Sequence, residues 1–93
     1  MIVGTLLIEI GIEDSLNLKD KRRILKSIIE RLKNRFNISI AEVDNNDIVN
    51  YASLGISTVS NRMIHIDSVF DKIRGFIENN FNVYIIKFER NIA

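Results

Sequence analysis

The chain has 93 residues, 46% of them hydrophobic and 27% charged, with a formal net charge of +1. These are the proportions of an ordinary globular protein, and the length suits a single domain over residues 1–93. There is no cysteine, which excludes thiol catalysis, Cys-ligated zinc and iron–sulfur clusters and favours a cytoplasmic setting over a secreted one.

Residues 2–12 alternate strictly. Ile2, Gly4, Leu6, Ile8, Ile10 and Ile12 share one face, and Val3, Thr5, Leu7, Glu9 and Gly11 share the other. Period two with β-branched residues predicts a strand with one wholly apolar face and one mixed face. The segment has no basic stretch before it and is far shorter than the roughly 20 residues a membrane span needs, so neither a signal nor an anchor is expected. The period then changes. Ile24, Leu25, Ile28, Ile29, Leu32 and Phe36 fall at helical spacing, which predicts a helix near 18–36. Asn17 is its candidate N-cap, with Asp20 at the third helical position, and Asn34 and Asn37 are candidate stop signals.

Residues 37–44 read as a second strand whose alternation stutters at Ala41-Glu42-Val43, as a bulge would require. Asn45-Asn46-Asp47 is turn chemistry, with Asp47 expected to cap a short turn over 48–50. Alternation resumes at Tyr51 and carries through Thr58, giving a third strand. A second helix is predicted near 62–79, with Ile66, Val69, Phe70, Ile73 and Ile77 inward. Val83 to Arg90 is the last strand. The order βαββαβ is that of the ferredoxin-like α+β sandwich: a four-stranded antiparallel sheet with two helices on one face and the first and third strands central. Leu6, Ile8, Ile10, Leu25, Ile28, Leu32, Leu54, Ile56, Phe70 and Ile73 are expected to form one core.

The run Ser15-Leu16 and Leu18-Lys19-Asp20-Lys21-Arg22-Arg23-Ile24-Leu25-Lys26, then Arg35 through Asp44, then Leu54-Gly55, resembles the YlxP-like family of small bacterial proteins over nearly the whole chain. The resemblance implies a ferredoxin-like fold and an uncharacterised activity. It also implies genes that often lie near those for translation initiation and ribosome-binding factors.

Catalytic signatures are sparse. The four glycines are scattered through elements rather than clustered at a strand-to-helix turn, as phosphate loops require. The loop Gly11 to Asn17 holds two acids and no base, unlike the arginine-bearing first loop of acylphosphatases. His65, the single histidine, has no partner arranged to make it a general base. Glu42, Asp44 and Asp47 crowd the hairpin but do not match a calcium loop. The first strand has no aromatic residue and the third only Tyr51, at its end, so single-strand stacking of the RNA-recognition-motif kind is disfavoured. No enzyme activity, cofactor or metal is assigned.

One feature stands out. Residues 19–35 carry eight bases against two acids, a net of +6, whereas the other 76 residues carry five bases against ten acids, a net of −5. Lys19, Arg22, Arg23, Lys26 and Lys33 point away from the apolar arc in a row about 21 Å long, with Glu30 among them. Several of these bases crowd the first turns, where they oppose the helix dipole unless Glu13 and Asp14 fold back onto them. The expected function is a non-enzymatic module that docks on structured RNA, the ribosome or its precursors, through Lys19, Lys21, Arg22, Arg23, Lys26 and Lys33. The alternative is a homo-oligomeric interaction or ligand-regulatory domain that uses the open sheet face, where Val3, Thr5 and Leu7 would form a patch needing a partner. Membrane-surface binding is disfavoured, because the apolar face of the basic helix is needed to close the core.

Overall fold

The computed structural model describes all of residues 1–93. Its elements are β1 (Ile2–Ile12), α1 (Leu18–Arg35), β2 (Ser39–Asp44), β3 (Tyr51–Ser60), α2 (Met63–Asn80) and β4 (Val83–Ile92). The four strands form one antiparallel sheet in the order β2-β3-β1-β4. The chain is therefore two βα units followed in each case by a strand, with the first strand of each unit paired at the centre.

Alternation along β1 fixes the two faces of the sheet. Leu6 stands opposite Ile56, Ile8 opposite Leu54 and Ile10 opposite Ala52, and this face meets both helices. Fourteen buried apolar residues make one cluster there, and it contains all ten of the expected core residues. Gly4 sits on the same face under α2, where a Cβ would collide with Ile66 and press on Phe70. The glycine lets the helix approach the strand. Phe36, Phe76 and Phe81 are only partly buried. Phe76 meets Phe36 and Phe81 edge to face.

The helix start follows the sequence closely. Asn17 is the N-cap of α1, its side chain accepting a 2.8 Å hydrogen bond from the Asp20 backbone N–H, while the Asp20 carboxylate accepts one from the Leu16 N–H. The helix end differs. Neither Asn34 nor Asn37 turns left-handed; Phe36 closes the helix in extended conformation by donating its N–H to the Leu32 carbonyl at 2.8 Å. The one non-glycine residue at positive φ is Asn45, in the β2–β3 turn.

Both edge strands carry a bulge. In β2 the register shifts between Glu42 and Asp44, leaving Val43 as the extra residue, where the sequence stutters. In β4 the shift falls opposite Glu9 and Ile10 and leaves Ile86 unpaired. A bulge on an edge interrupts the row of free N–H and C=O groups that another strand would need.

Candidate nucleic-acid interface

The eight bases of residues 19–35 do three different things. Lys21 is the first. Although it lies in the basic run, it occupies the slot one turn before Leu25 on the apolar arc and is only 1% exposed. Its Nζ donates to the Asn45 carbonyl at 2.7 Å and stands 2.9 Å from Glu42 Oε2. The Glu42 contact is an ion pair without hydrogen-bond alignment. Lys21 is thus a structural tie between α1 and the β2–β3 hairpin, and its expected place among the RNA contacts is corrected. Burying an ammonium is tolerated only where opposite charge and acceptors meet it, and here both do.

Arg31 and Arg35 form the second group. Arg31 lies over Phe81 at 4.7 Å and Phe76 at 5.4 Å, and Arg35 lies over Phe76 at 5.2 Å. The guanidinium groups cover aromatic rings that the core does not fully enclose, a contact worth about 0.5–1 kcal/mol at an exposed site.

The third group is Lys19, Arg22, Arg23, Lys26 and Lys33, all exposed along the outward side of α1. No carboxylate comes within 4.0 Å of Lys19, Arg22, Lys26 or Lys33, and Arg23 has only a 3.5 Å contact with Asp20. Neither Glu13 nor Asp14 forms an ion pair with the row within 4.0 Å; Asp14 shares a groove with Arg23 and accepts a 2.8 Å hydrogen bond from the Asn82 amide. The first turns of α1 therefore hold several bases against the dipole with Asp20 as the one local acid.

The remaining candidates are dispersed. Glu42 faces Lys21, Asp44 accepts from the Asn45 N–H, and Asp47 caps no turn; the Ile48 N–H goes to the Asn45 carbonyl instead. No group of three or more acidic or histidine side chains is placed to hold a metal ion. His65 is exposed in the first turn of α2, and its ring makes no hydrogen bond.

The open sheet face is mixed. Val3 and Leu7 are half-buried among their neighbours, whereas Val43, Val59, Tyr84 and Ile86 are exposed. Val43 leans over Gly55, whose missing side chain makes the floor of a shallow hollow of about 510 Å³. Lys87 lies 3.1 Å from Glu89 and 3.9 Å from Glu9 on this face. The Glu89 hydrogen bond and then the two negative charges raise its pKa above the ordinary 10.5. No helix is long and apolar enough to cross a membrane.

Residues 3–90 match the model of a family described as a protein of unknown function, DUF503. The chain belongs to that family. A similar relative is the uncharacterised protein YlxP of Bacillus subtilis (strain 168), 33% identical over 78 residues, which are 84% of this chain and 85% of the relative. Among solved structures, a de novo designed protein with a ferredoxin fold aligns over all of this chain and 86% of its own, at 14% identity and a TM-score of 0.54. A dimeric ferredoxin-like protein from an uncultured marine organism aligns over all of this chain and 94% of its own, at 12% identity and a TM-score of 0.42. The fold of this chain is ferredoxin-like, and the description of its family assigns no activity.

Proposed function

We propose that this protein is a non-enzymatic module that docks on structured RNA, the ribosome or its precursors, through the outward face of α1. The observation that carries the reading is the row Lys19, Arg22, Arg23, Lys26 and Lys33. Four of its five bases have no carboxylate within 4.0 Å, on a chain whose net charge is only +1. Bases held apart from internal partners are free to displace counterions from phosphates, which gives sequence-independent affinity, while the rigid domain supplies shape selectivity.

Binding of ribosomal particles and of a folded RNA, titrated across salt concentrations, tests this reading. If about four phosphates are neutralised, the log–log salt slope lies near −3 to −4. Replacing Arg22, Arg23 or Lys26 singly by Ala weakens binding to all sequences alike and flattens the slope by about one unit. Arg62, Lys72 and Arg74, on or beside α2, serve as controls with smaller effects. Binding that survives reversal of three charges in the row, or that is absent at low salt, refutes the reading.

A second reading keeps one observation in its favour. The exposed Val43, Val59, Tyr84 and Ile86 share the open sheet face, and self-association through that face would cover them. A monomeric mass by sedimentation at high micromolar concentration removes it.

A further inference from the structure

The exposed bases of α1 do not all lie on one line. On the flank turned to β2, Arg22, Lys26 and Lys33 rim a groove floored by Leu25 and Ile29. On the flank turned to α2 and β4, Arg23 and Arg31 rim a second groove, with Ser27 between them and Phe81 in its wall. At 3.6 residues per turn the two rows stand about a third of a turn apart. Between them lie Lys19 and Asn34, while Glu30 stands at the outer rim of the β2-side groove. Each groove contains one acid from another element, and each of these is engaged: Glu42 by Lys21, and Asp14 by the Asn82 amide. Arg31 is held against Phe81 and Phe76, so its guanidinium is oriented before any ligand arrives.

Two cationic rows on one convex rod match two phosphate strands better than one. No aromatic residue lies within α1, whereas proteins that grip single strands use aromatic platforms for the bases. A helix with its side chains is about 10–12 Å across, and the minor groove of A-form RNA is wide and shallow and displays 2′-hydroxyls. Glu30 is then the informative residue. It stands at the outer rim of the β2-side groove, on the side turned to the second row, with no base within 4.0 Å. A bare carboxylate there opposes indiscriminate polyanion binding, yet it is well suited to accept a hydrogen bond from a 2′-hydroxyl, which DNA lacks.

We infer that α1 lies along the minor groove of double-helical RNA, one row of bases on each phosphate strand, with Glu30 accepting from a 2′-hydroxyl and so discriminating RNA from DNA. The inference rests on the reading that α1 binds RNA. Fluorescence anisotropy with the full chain tests it, using a blunt RNA duplex, the DNA duplex of the same sequence and each RNA single strand. The protein is expected to favour the RNA duplex over both others. Two double variants probe the flanks: R22A/K26A on the β2 side and R23A/S27E on the other, the latter leaving the Arg31 stack intact. Each is expected to flatten the duplex salt slope by about two units and to bring duplex affinity down to the single-strand level. Glu30→Ala is expected to lower the RNA-to-DNA affinity ratio several-fold, chiefly by strengthening DNA binding. All five positions are exposed, and circular dichroism verifies that the variants fold. One flank carrying the whole effect, or a ratio unmoved by Glu30→Ala, overturns the two-row geometry while the RNA reading stands. Failure of every RNA to bind at low salt overturns both.

Discussion

The two helices are built on one packing template and put to different uses. Each has 18 residues, and each buries four positions at identical offsets: Lys21, Leu25, Ile28 and Leu32 in α1, and Ile66, Phe70, Ile73 and Ile77 in α2. Three of the four slots are apolar in both. In the first slot α2 has Ile66, seated over Gly4, while α1 has a lysine that reaches past the core to the hairpin. The outer faces diverge further. Asp67 and Asp71 of α2 are both met by Arg90 of β4, at 2.9 and 2.7 Å, and Glu78 is met by Arg74 at 3.6 Å. Most of α2's charge is answered within the molecule. On the outer face of α1 most of it is not, and the proposed docking surface rests on that contrast more than on the number of bases.

The comparison can be broken at several points, beginning with the core. Ile28 and Ile73 hold equivalent slots and are both fully buried, so Ile28→Ala and Ile73→Ala are each expected to cost about 2–5 kcal/mol in chemical denaturation. A much milder loss at Ile28 would show that α1 does not share the template.

The unequal first slot comes next. Lys21→Met leaves Glu42 facing an apolar side chain, at a cost of about 1–3 kcal/mol, the carboxylate being still partly open to water. Adding Glu42→Leu is expected to restore most of the loss, because a buried ion pair is often replaceable by apolar residues. Ile66→Met, the counterpart in α2, should stay below about 1.5 kcal/mol. Equal losses at the two slots would mean that the lysine and the isoleucine serve the fold alike.

Arg90→Met deprives two α2 carboxylates of their partner, and because the pairs are largely exposed the expected cost is at most about 1 kcal/mol, shrinking in salt. The Arg90 pKa is raised, chiefly by the Asp71 hydrogen bond, with burial opposing it. A raised pKa means the stabilisation is complete below the unfolded value and is lost only as pH climbs through the folded one. Alkaline titration past 10.5 therefore discharges Lys87 on β4 first, while Arg90 keeps its α2 partners. The smallest effect belongs to the row itself: Arg22→Ala or Lys26→Ala should move stability by no more than about 0.5 kcal/mol, in the stabilising direction where an adverse dipole contact is relieved. A larger loss would mean the row has an internal partner after all.

Most of the architecture was legible because periodicity reports burial directly. The strand order, the cap at Asn17 and the bulge near Val43 all follow from local pattern. The bulge at Ile86 also had a signal, the doublet Ile85-Ile86 that breaks alternation, but a doublet alone does not say which partner residue is skipped. The site was harder. Lys21 falls at the buried offset from Leu25 and Ile28, yet residue type argued for solvent. Only the long-range meeting with Glu42 and the Asn45 carbonyl, brought about by the left-handed Asn45 turn, makes its burial affordable. In the same way nothing local announces that Arg31 and Arg35 lie over Phe76 and Phe81, because those rings arrive from 41 to 50 residues away in the chain. Sequence counts charges well. It does not say which ones the fold has already answered.

The burial of Lys21 also divides the chain's six lysines by chemistry. Lys19, Lys26, Lys33, Lys72 and Lys87 are open to solvent, and Lys21 is not. An acylating reagent such as an N-hydroxysuccinimide ester should therefore modify five side-chain amines of the native protein quickly. The sixth reacts only when α1 lifts from the hairpin. Mass spectrometry of the lagging adduct then times that opening event, with a clock the protein already carries.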